Sequence, residues 1–487
     1  MAWLKRLLVL SGMWVLLGLV AAVAWGQAGP KRLPYHIVGY CWSDVIPECD
    51  NLISFGTRRL TQEGLDEPDL MKTVTDKMPE GHRVMFFWHI ETDLTEHPDD
   101  RCRDAQGNLT EFQGIWLDNG IARIRERVER FFSAYKRVGG ALDVLVLDYE
   151  GGLSNWHIGD NLARWKAIEN DPRFPEIADK LGFSDLTTVC EWWKQQGDAR
   201  LNYLRWNALM MQRVAEALNQ AIYEPLRRYY PNVKVSNYGY CYYSRELGVP
   251  DLNGHKYYLF GHGAHVGTHQ APVLYACIGQ LEHNPPEGLT AYPKTPFNAF
   301  RLSLNDMRCA AGSSDVPLYP WLAYRGWSES GVGNNDLYQE LIFHAGLCGA
   351  DAFLYWNPRP WLASQDPKQF ADDEQDKLFS DCLKQLDVLI GDPQRKTVSR
   401  GLVAWDANYA LTGMRAKGRT VWRFTPNLDD GTALEDTLLR RDPATFRVGD
   451  AVITIPGGKV WEPELKLSGQ GYWVLAPAGA TPVVTAR

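Results

Sequence analysis

No run of lysine and arginine occurs anywhere in the 487 residues, and 51 basic against 59 acidic side chains leave a net charge of −8. A nucleic-acid binder carries a basic surface, so that partner class is excluded. No Cys-x-x-Cys pair occurs among the nine cysteines, which removes a zinc ribbon. Their odd number leaves at least one thiol unpaired in an oxidising compartment. Cys41 and Cys49 are near enough in sequence to clip one loop, whereas Cys277 and Cys348 lie in apolar contexts and read as small hydrophobes. No glycine-rich nucleotide turn follows the first strand-like run, and there is no internal repeat or low-complexity linker. With 45% hydrophobic and 23% charged residues the chain is too apolar for a disordered regulator.

One apolar run stands out, at the N-terminus. Lys5 and Arg6 precede an uncharged stretch from Leu7 to Trp25, and small residues follow at Ala22, Ala24, Gly26 and Ala28. This is the pattern of a secretory signal peptide over residues 1–28, and it predicts a secreted or periplasmic protein. An uncleaved anchor is the alternative, and Gly12 and Gly18 favour cleavage. Cleavage removes two positive charges, so the mature chain moves from −8 to −10. No other stretch is apolar for long enough to span a bilayer, so no membrane contact is expected after cleavage.

From Tyr35 to about Gly391, short β-rich runs alternate with longer helical patterns. The candidate strands are 36–40, 83–90, 143–150, 233–240, 272–276, 317–324 and 351–356. The run Leu-Ile-Ser-Phe-Gly (52–56) follows its predecessor so closely that a hairpin piece is expected there. Helical patterns fall at about 119–138, 198–229, 296–311, 334–348 and 373–390. This alternation predicts an α/β fold with a parallel sheet, as a TIM-like (β/α)8-type barrel of seven or eight strands over residues 29–392. After Asp392-Pro393 the texture changes to short strands separated by Gly, Pro and Asp turns. Residues 393–487 are therefore expected to form a small β-sandwich. Trp422 and Trp473 in it read either as packing against the barrel or as a sugar-binding surface.

Barrel enzymes place their chemistry at C-terminal strand ends. The sharpest such end is Asp143-Val-Leu-Val-Leu-Asp148-Tyr149-Glu150. Side chains alternate along a strand, so Val144, Val146, Asp148 and Glu150 share one face while Leu145, Leu147 and Tyr149 share the other. Two valines followed by two carboxylates describe an interior that opens into a polar mouth. The carboxylates would stand about 6–7 Å apart along the strand. At that spacing they reach one side of a substrate and cannot flank a glycosidic bond as acid and nucleophile. Glu150 suits a general acid, its pKa raised by Asp148 and by burial, while Asp148 would orient a substrate group that itself attacks the anomeric carbon. A strand-end carboxylate pair can equally hold a metal, although no metal or other cofactor is called for here. The 19 tryptophans and 22 tyrosines supply flat faces with polar edges, as sugar rings require.

The segment Val-Leu-Asp148-Tyr-Glu150-Gly-Gly-Leu-Ser-Asn-Trp resembles the strand-four signature of the hyaluronidase family. It also resembles the chitinase pattern Asp-x-x-Asp-x-Asp-x-Glu, with Val146 in place of the second Asp. Three later stretches keep the hyaluronidase order: 235–246, 271–279, and 316–327 followed by 349–357. The resemblance implies Glu150 as acid/base and Asp148 as positioner of an acetamido group. It further implies Tyr275 beside the reacting N-acetyl group, Tyr238 or Tyr240 lining the pocket and Trp356 under the ring. Gly151-Gly152 departs from the bulky run expected after the acid. A chain near −10 also lacks a basic groove for polyanionic hyaluronan.

Other residues near predicted strand ends are candidates for the cleft: Trp42 and Asp44; Trp88, His89 and Glu91; and Trp321, Tyr324, Arg325 and Trp327. Glu91 or Asp44 would serve as nucleophile if the enzyme uses a protein carboxylate. Trp192-Trp193 reads as core or as a substrate platform. His262, His265 and His269 read as a solvated loop rather than a metal site. Asn108-Leu-Thr110 is a formal glycosylation sequon. The expected activity is glycoside hydrolysis of an oligo- or polysaccharide, and a non-catalytic carbohydrate-binding protein on the same barrel is the alternative. The sequence sets no oligomeric state.

Overall fold

The computed structural model describes residues 98–113, 118–148, 170–176, 216–237, 335–356, 374–398 and 408–486 (save 430 and 468). It also describes shorter pieces within 35–38, 52–55, 71–75, 84–89, 267–274, 296–308 and 317–323.

The first strands are β1 (Tyr35–Val38), β2 (Leu52–Phe55) and β3 (Val84–His89). A two-stranded ribbon follows, β4 (Arg101–Arg103) with β5 (Leu109–Gln113), and then the helix α1 (Asp118–Arg137). Helix α1 is amphipathic in the plain sense: Ile124, Val128, Phe131, Phe132 and Tyr135 recur at three- and four-residue spacing and are all buried. Gly139, at φ 85°, ends the turn beyond it. The next strand, β6 (Val144–Asp148), is buried throughout Val144–Leu147, as a parallel strand covered on both faces must be. A π-helical turn (Asn219–Tyr223) leads into α2 (Glu224–Tyr229) and β7 (Lys234–Asn237). Further on come β8 (Trp321–Ala323), α3 (Asn335–Leu347), β9 (Phe353–Trp356) and α4 (Glu374–Ile390).

Seven of these strands form one sheet in the order β7-β6-β3-β2-β1-β9-β8, every pair parallel. Strand β2 corrects the hairpin expectation for 52–56, since it lies parallel to β1 with His36 opposite Leu52. The thirteen intervening residues 39–51 are just enough for a crossover, which needs about a dozen. Both outer strands also hydrogen-bond the segment 268–274. Thr268 N and His269 N donate to Val235 O beside β7, at 2.8 and 3.0 Å. On the other side Gln270 N donates to Pro317 O, Trp321 N to Pro272 O and Leu274 N to Trp321 O, at 2.7–2.9 Å.

The rest of the chain is strands: β10 (Lys396–Thr397), β11 (Tyr409–Ala416) and β12 (Arg419–Pro426), the single turn α5 (Leu434–Thr437), β13 (Leu438–Arg441), β14 (Ala444–Val448), β15 (Ala451–Thr454), β16 (Lys459–Trp461), β17 (Tyr472–Pro477) and β18 (Val483–Ala486). They make two antiparallel sheets, β10-β11-β12-β17-β16 and β13-β14-β15-β18. Trp422 and Phe424 of the first sheet share an apolar cluster with Phe446 and Ile453 of the second. Opposite Trp422 stands Gly413, where a Cβ would come within 2.5 Å of the indole, so only glycine lets that ring lie flat across the strand.

Helix α3 explains how the two parts meet. Every residue from Leu337 to Cys348 is buried, because one side faces Leu322 and Phe353 of the parallel sheet and the other faces Ala410, Met414 and Trp473 of the C-terminal strands. Trp422 and Trp473 are therefore packing residues, at 3% and 2% exposure. Cys348 is a free buried thiol, packed as a small hydrophobe.

Candidate active site

The register of the parallel sheet sorts its positions into two rows. Asp148 pairs with His89 and Val146 with Phe87 and Ser236. Met85 pairs with Ser54, Leu52 with His36, and Val38 with Trp356, which pairs in turn with Ala323. Since strand residues alternate faces, Asp148, His89, Ser236, Val38, Trp356 and Trp321 belong to one face. The other face carries Leu145, Leu147, Ile37, Phe353 and Leu322, and the last two pack in the cluster with α3 and α4. Asp148 closes β6, His89 closes β3 and Trp356 closes β9, so all three stand at C-terminal strand ends of the face turned away from those helices.

Trp88 does not belong to this group. It pairs with Leu147, one residue out of phase with Asp148, and the period of two assigns that position to the helix-side row. Of the two neighbouring candidates it is His89 that shares the row of Asp148. Trp321 is on the Asp148 face and fully buried, without exposed surface. Glu150, Tyr275, Tyr238, Tyr240, Tyr324 and Trp42 lie outside the described residues, as do Asp44, Glu91, Trp192, Trp193, His262, His265, Cys277, Arg325 and Trp327.

Two residues below the strand ends add to the picture. Ser236 is fully buried and its hydroxyl makes no hydrogen bond among the described residues, one row beneath Asp148. The alternation Lys234, Ser236, Tyr238 was the signal for it, outweighed in the sequence by the tyrosines that follow. His269 corrects the expectation of a solvated loop. It is 7% exposed, its ring lies 4.2 Å from that of Tyr319, and Nδ1 shares a 2.6 Å hydrogen bond with Thr268 Oγ1. Burial and the nearby Lys234 ammonium push its pKa down to about 3, so the imidazole is neutral at any ordinary pH. Lys234 Nζ donates to Tyr319 Oη at 2.8 Å. Lys234 opens β7, so this cluster belongs to the N-terminal end of the sheet, where barrel proteins keep structural residues.

Asn108 is exposed at the tip of the β4–β5 ribbon, where Asp104 accepts from its amide and backbone nitrogens. Among the described residues no group of three His, Cys, Asp or Glu side chains is placed to hold a metal, and no helix is long and apolar enough to cross a membrane.

No protein-family model and no curated protein matches the chain. Solved structures do show distant likeness. A β-galactosidase from Rahnella sp. R3 is 9% identical over 70% of this chain and 51% of its own, with a TM-score of 0.40. An endoxylanase from Clostridium papyrosolvens is 10% identical over 92% and 97%, with a TM-score of 0.35. Bee venom hyaluronidase is 13% identical over 69% and 99%, with a TM-score of 0.33. The chain thus spans about half the length of the first of these.

Proposed function

We propose that the protein is a secreted or periplasmic glycoside hydrolase whose catalytic centre lies at the C-terminal end of an eight-stranded (β/α) barrel. The single observation that carries this reading is the register: Asp148 and Trp356, chosen from the sequence for chemistry and for stacking, fall on one face and at one end of the parallel sheet. The hydrogen bonds of segment 268–274 to both outer strands support the eighth strand of the barrel. Residues 1–28 are the signal peptide, 29–392 the barrel and 393–487 a C-terminal β-sandwich.

Glu150, two residues beyond Asp148 in the sequence, is the general acid. It protonates the glycosidic oxygen as the bond to the anomeric carbon breaks. The substrate's own acetamido oxygen closes on that carbon, with Asp148 holding the acetamido N–H and Tyr275 beside it. Glu150, now a carboxylate, then takes a proton from the water that reopens the ring. Tyr238, Tyr240, Trp356 and Tyr324 surround the sugar, Trp42 extends the cleft, and Trp321 packs beneath them without exposed surface of its own. The substrate class is an oligo- or polysaccharide containing N-acetylhexosamine.

The test is a glycan-hydrolysis screen of wild type beside Glu150→Gln. Loss of the general acid should lower kcat about 10²–10⁴-fold and leave substrate binding in place. Unchanged turnover overturns the assignment. Turnover that survives removal of the N-acetyl group replaces the acetamido nucleophile by a protein carboxylate, Glu91 or Asp44.

A further inference from the structure

A cavity of about 150 Å³ lies on the far side of α3 from the parallel sheet, open to solvent where the loop 462–471 leaves the edge strand β16. It is lined by Phe343, Arg423, Trp461, Glu462, Leu467 and Trp473, among others. We propose that this cavity is a second carbohydrate site, which holds one neutral pyranose ring on Trp461.

The strand register builds the site. Thr412, Arg423, Trp473 and Trp461 stand directly opposite one another across β11, β12, β17 and β16, so the two indoles and the guanidinium form one row on one face. Trp473 is fixed by packing and by donating Nε1–H to Gln385 at 2.8 Å. Arg423 lies between the rings of Phe343 and Trp473, at 4.9 and 4.8 Å, and donates two hydrogen bonds to Glu340, through Nε at 2.7 Å and through Nη2. Arg423 is itself one of the residues that line the cavity. Trp461, at the sheet edge, is only half-buried. Gly471 forms the back wall, where a Cβ would come within 2.8 Å of the Glu340 carboxylate.

Size and charge select the ligand. A closed cavity of this volume holds one benzene-sized ring, so a pyranose, larger by its hydroxyls, would seat one face here and extend through the open mouth. Aromatic walls with a few polar groups match a ring that has apolar faces and hydroxyl edges. The lining also carries no net charge, because Glu340 neutralises Arg423 and the rim carboxylate of Glu462 pairs with Arg441 at 2.5 Å. An anionic sugar finds no surplus cation there, and a cationic one no surplus carboxylate. The site is separate from the proposed catalytic centre, since α3 packs on the Leu322 and Phe353 face and Asp148 belongs to the opposite one.

The experiment uses the full chain labelled with 5-fluorotryptophan. The Trp461 fluorine resonance is identified as the one missing in Trp461→Phe. It is then followed during titration with D-glucose, D-galactose, D-xylose and N-acetyl-D-glucosamine, with D-glucuronate as the anionic control. At least one neutral sugar should shift that resonance saturably. The shift should be lost in Leu467→Phe, which fills the cavity from a half-buried position. Three outcomes overturn the proposal: no neutral sugar moves the resonance, glucuronate moves it as far, or the shift survives Leu467→Phe. Failure of the hydrolysis screen leaves this measurement untouched, so the two readings fail separately.

Discussion

Glu340 has no exposed surface, and Arg423, Thr425 Oγ1 and the Gln470 amide all donate to its carboxylate. A buried charge needs such a complete set of partners, and removing one strands the other. Glu340→Ala should therefore cost about 3–5 kcal/mol, because Arg423 remains charged between two aromatic rings. The double variant Glu340→Leu/Arg423→Met should be less destabilised than Glu340→Ala alone. Urea midpoints of the three chains check both statements, and a single-variant loss below about 1 kcal/mol would contradict the first. Buried histidines set a pH dependence with a definite sign. His269 has its pKa lowered to about 3, and His344 is held well below the usual imidazole range by burial and by Arg423 and Arg308. Between about pH 6.5 and pH 3 the unfolded chain binds a proton at His269 and the folded chain does not, and His344 acts in the same direction, so the stability these sites contribute is full above pH 6.5 and falls on acidification. His269→Gln should flatten that slope by up to about 1.4 kcal/mol per pH unit. Parallel wild-type and variant curves between pH 6 and 4 would count against it.

At the scale of elements, the strand Val144–Asp148 was readable because four apolar residues ending in a carboxylate have few other solutions in an alternating α/β pattern. The same holds for α1, α3 and α4, whose observed bounds lie within a residue or so of the periodic stretches. What the sequence did not carry was register. Trp88 and His89 are neighbours with equal claims to a strand end, and only pairing with Leu147 and Asp148 decides which one joins the candidate site. The hairpin expectation for Leu52–Phe55 failed for a related reason, since chain separation alone does not fix strand direction when the connection sits at the crossover limit. Long-range caps were equally hidden. Asp100, at the end of a short 3₁₀ turn, accepts from Gly120 N at 2.7 Å and so caps α1 from nearly twenty residues away. Its 2% exposure makes that carboxylate hard to replace by water. Asp100→Ala should cost about 1–2 kcal/mol, and hydrogen exchange should quicken first in the opening turn of α1. Unchanged exchange at 120–122 would show that the cap contributes nothing.

For the whole molecule, the change of texture near residue 392 is a change of secondary structure and not of packing. Helix α4 ends at Ile390 and strands follow from Lys396, yet one apolar cluster contains Leu341 and Phe343 of α3, Leu386 of α4 and Met414, Val421 and Trp473 of the C-terminal strands. Polar contacts cross the same junction. Both ring nitrogens of His344 are hydrogen-bonded to threonines of the C-terminal sheet, Thr412 at 2.6 Å and Thr425 at 2.9 Å. A helix buried on all sides has no face to offer water, so α3 cannot stay folded once those strands are gone. The full chain should then unfold in urea as one unit, with far-ultraviolet dichroism and tryptophan fluorescence giving the same midpoint. A chain cut after residue 392 should expose Phe343 and Leu386 and leave Glu340 and His344 without their partners. It should therefore aggregate or bind hydrophobic dye rather than fold, even though it would keep every residue of the proposed catalytic centre. A soluble, cooperatively folding 29–392 fragment, or two separate transitions in the intact chain, would show that the shared cluster is a contact surface between independent units and not a single core.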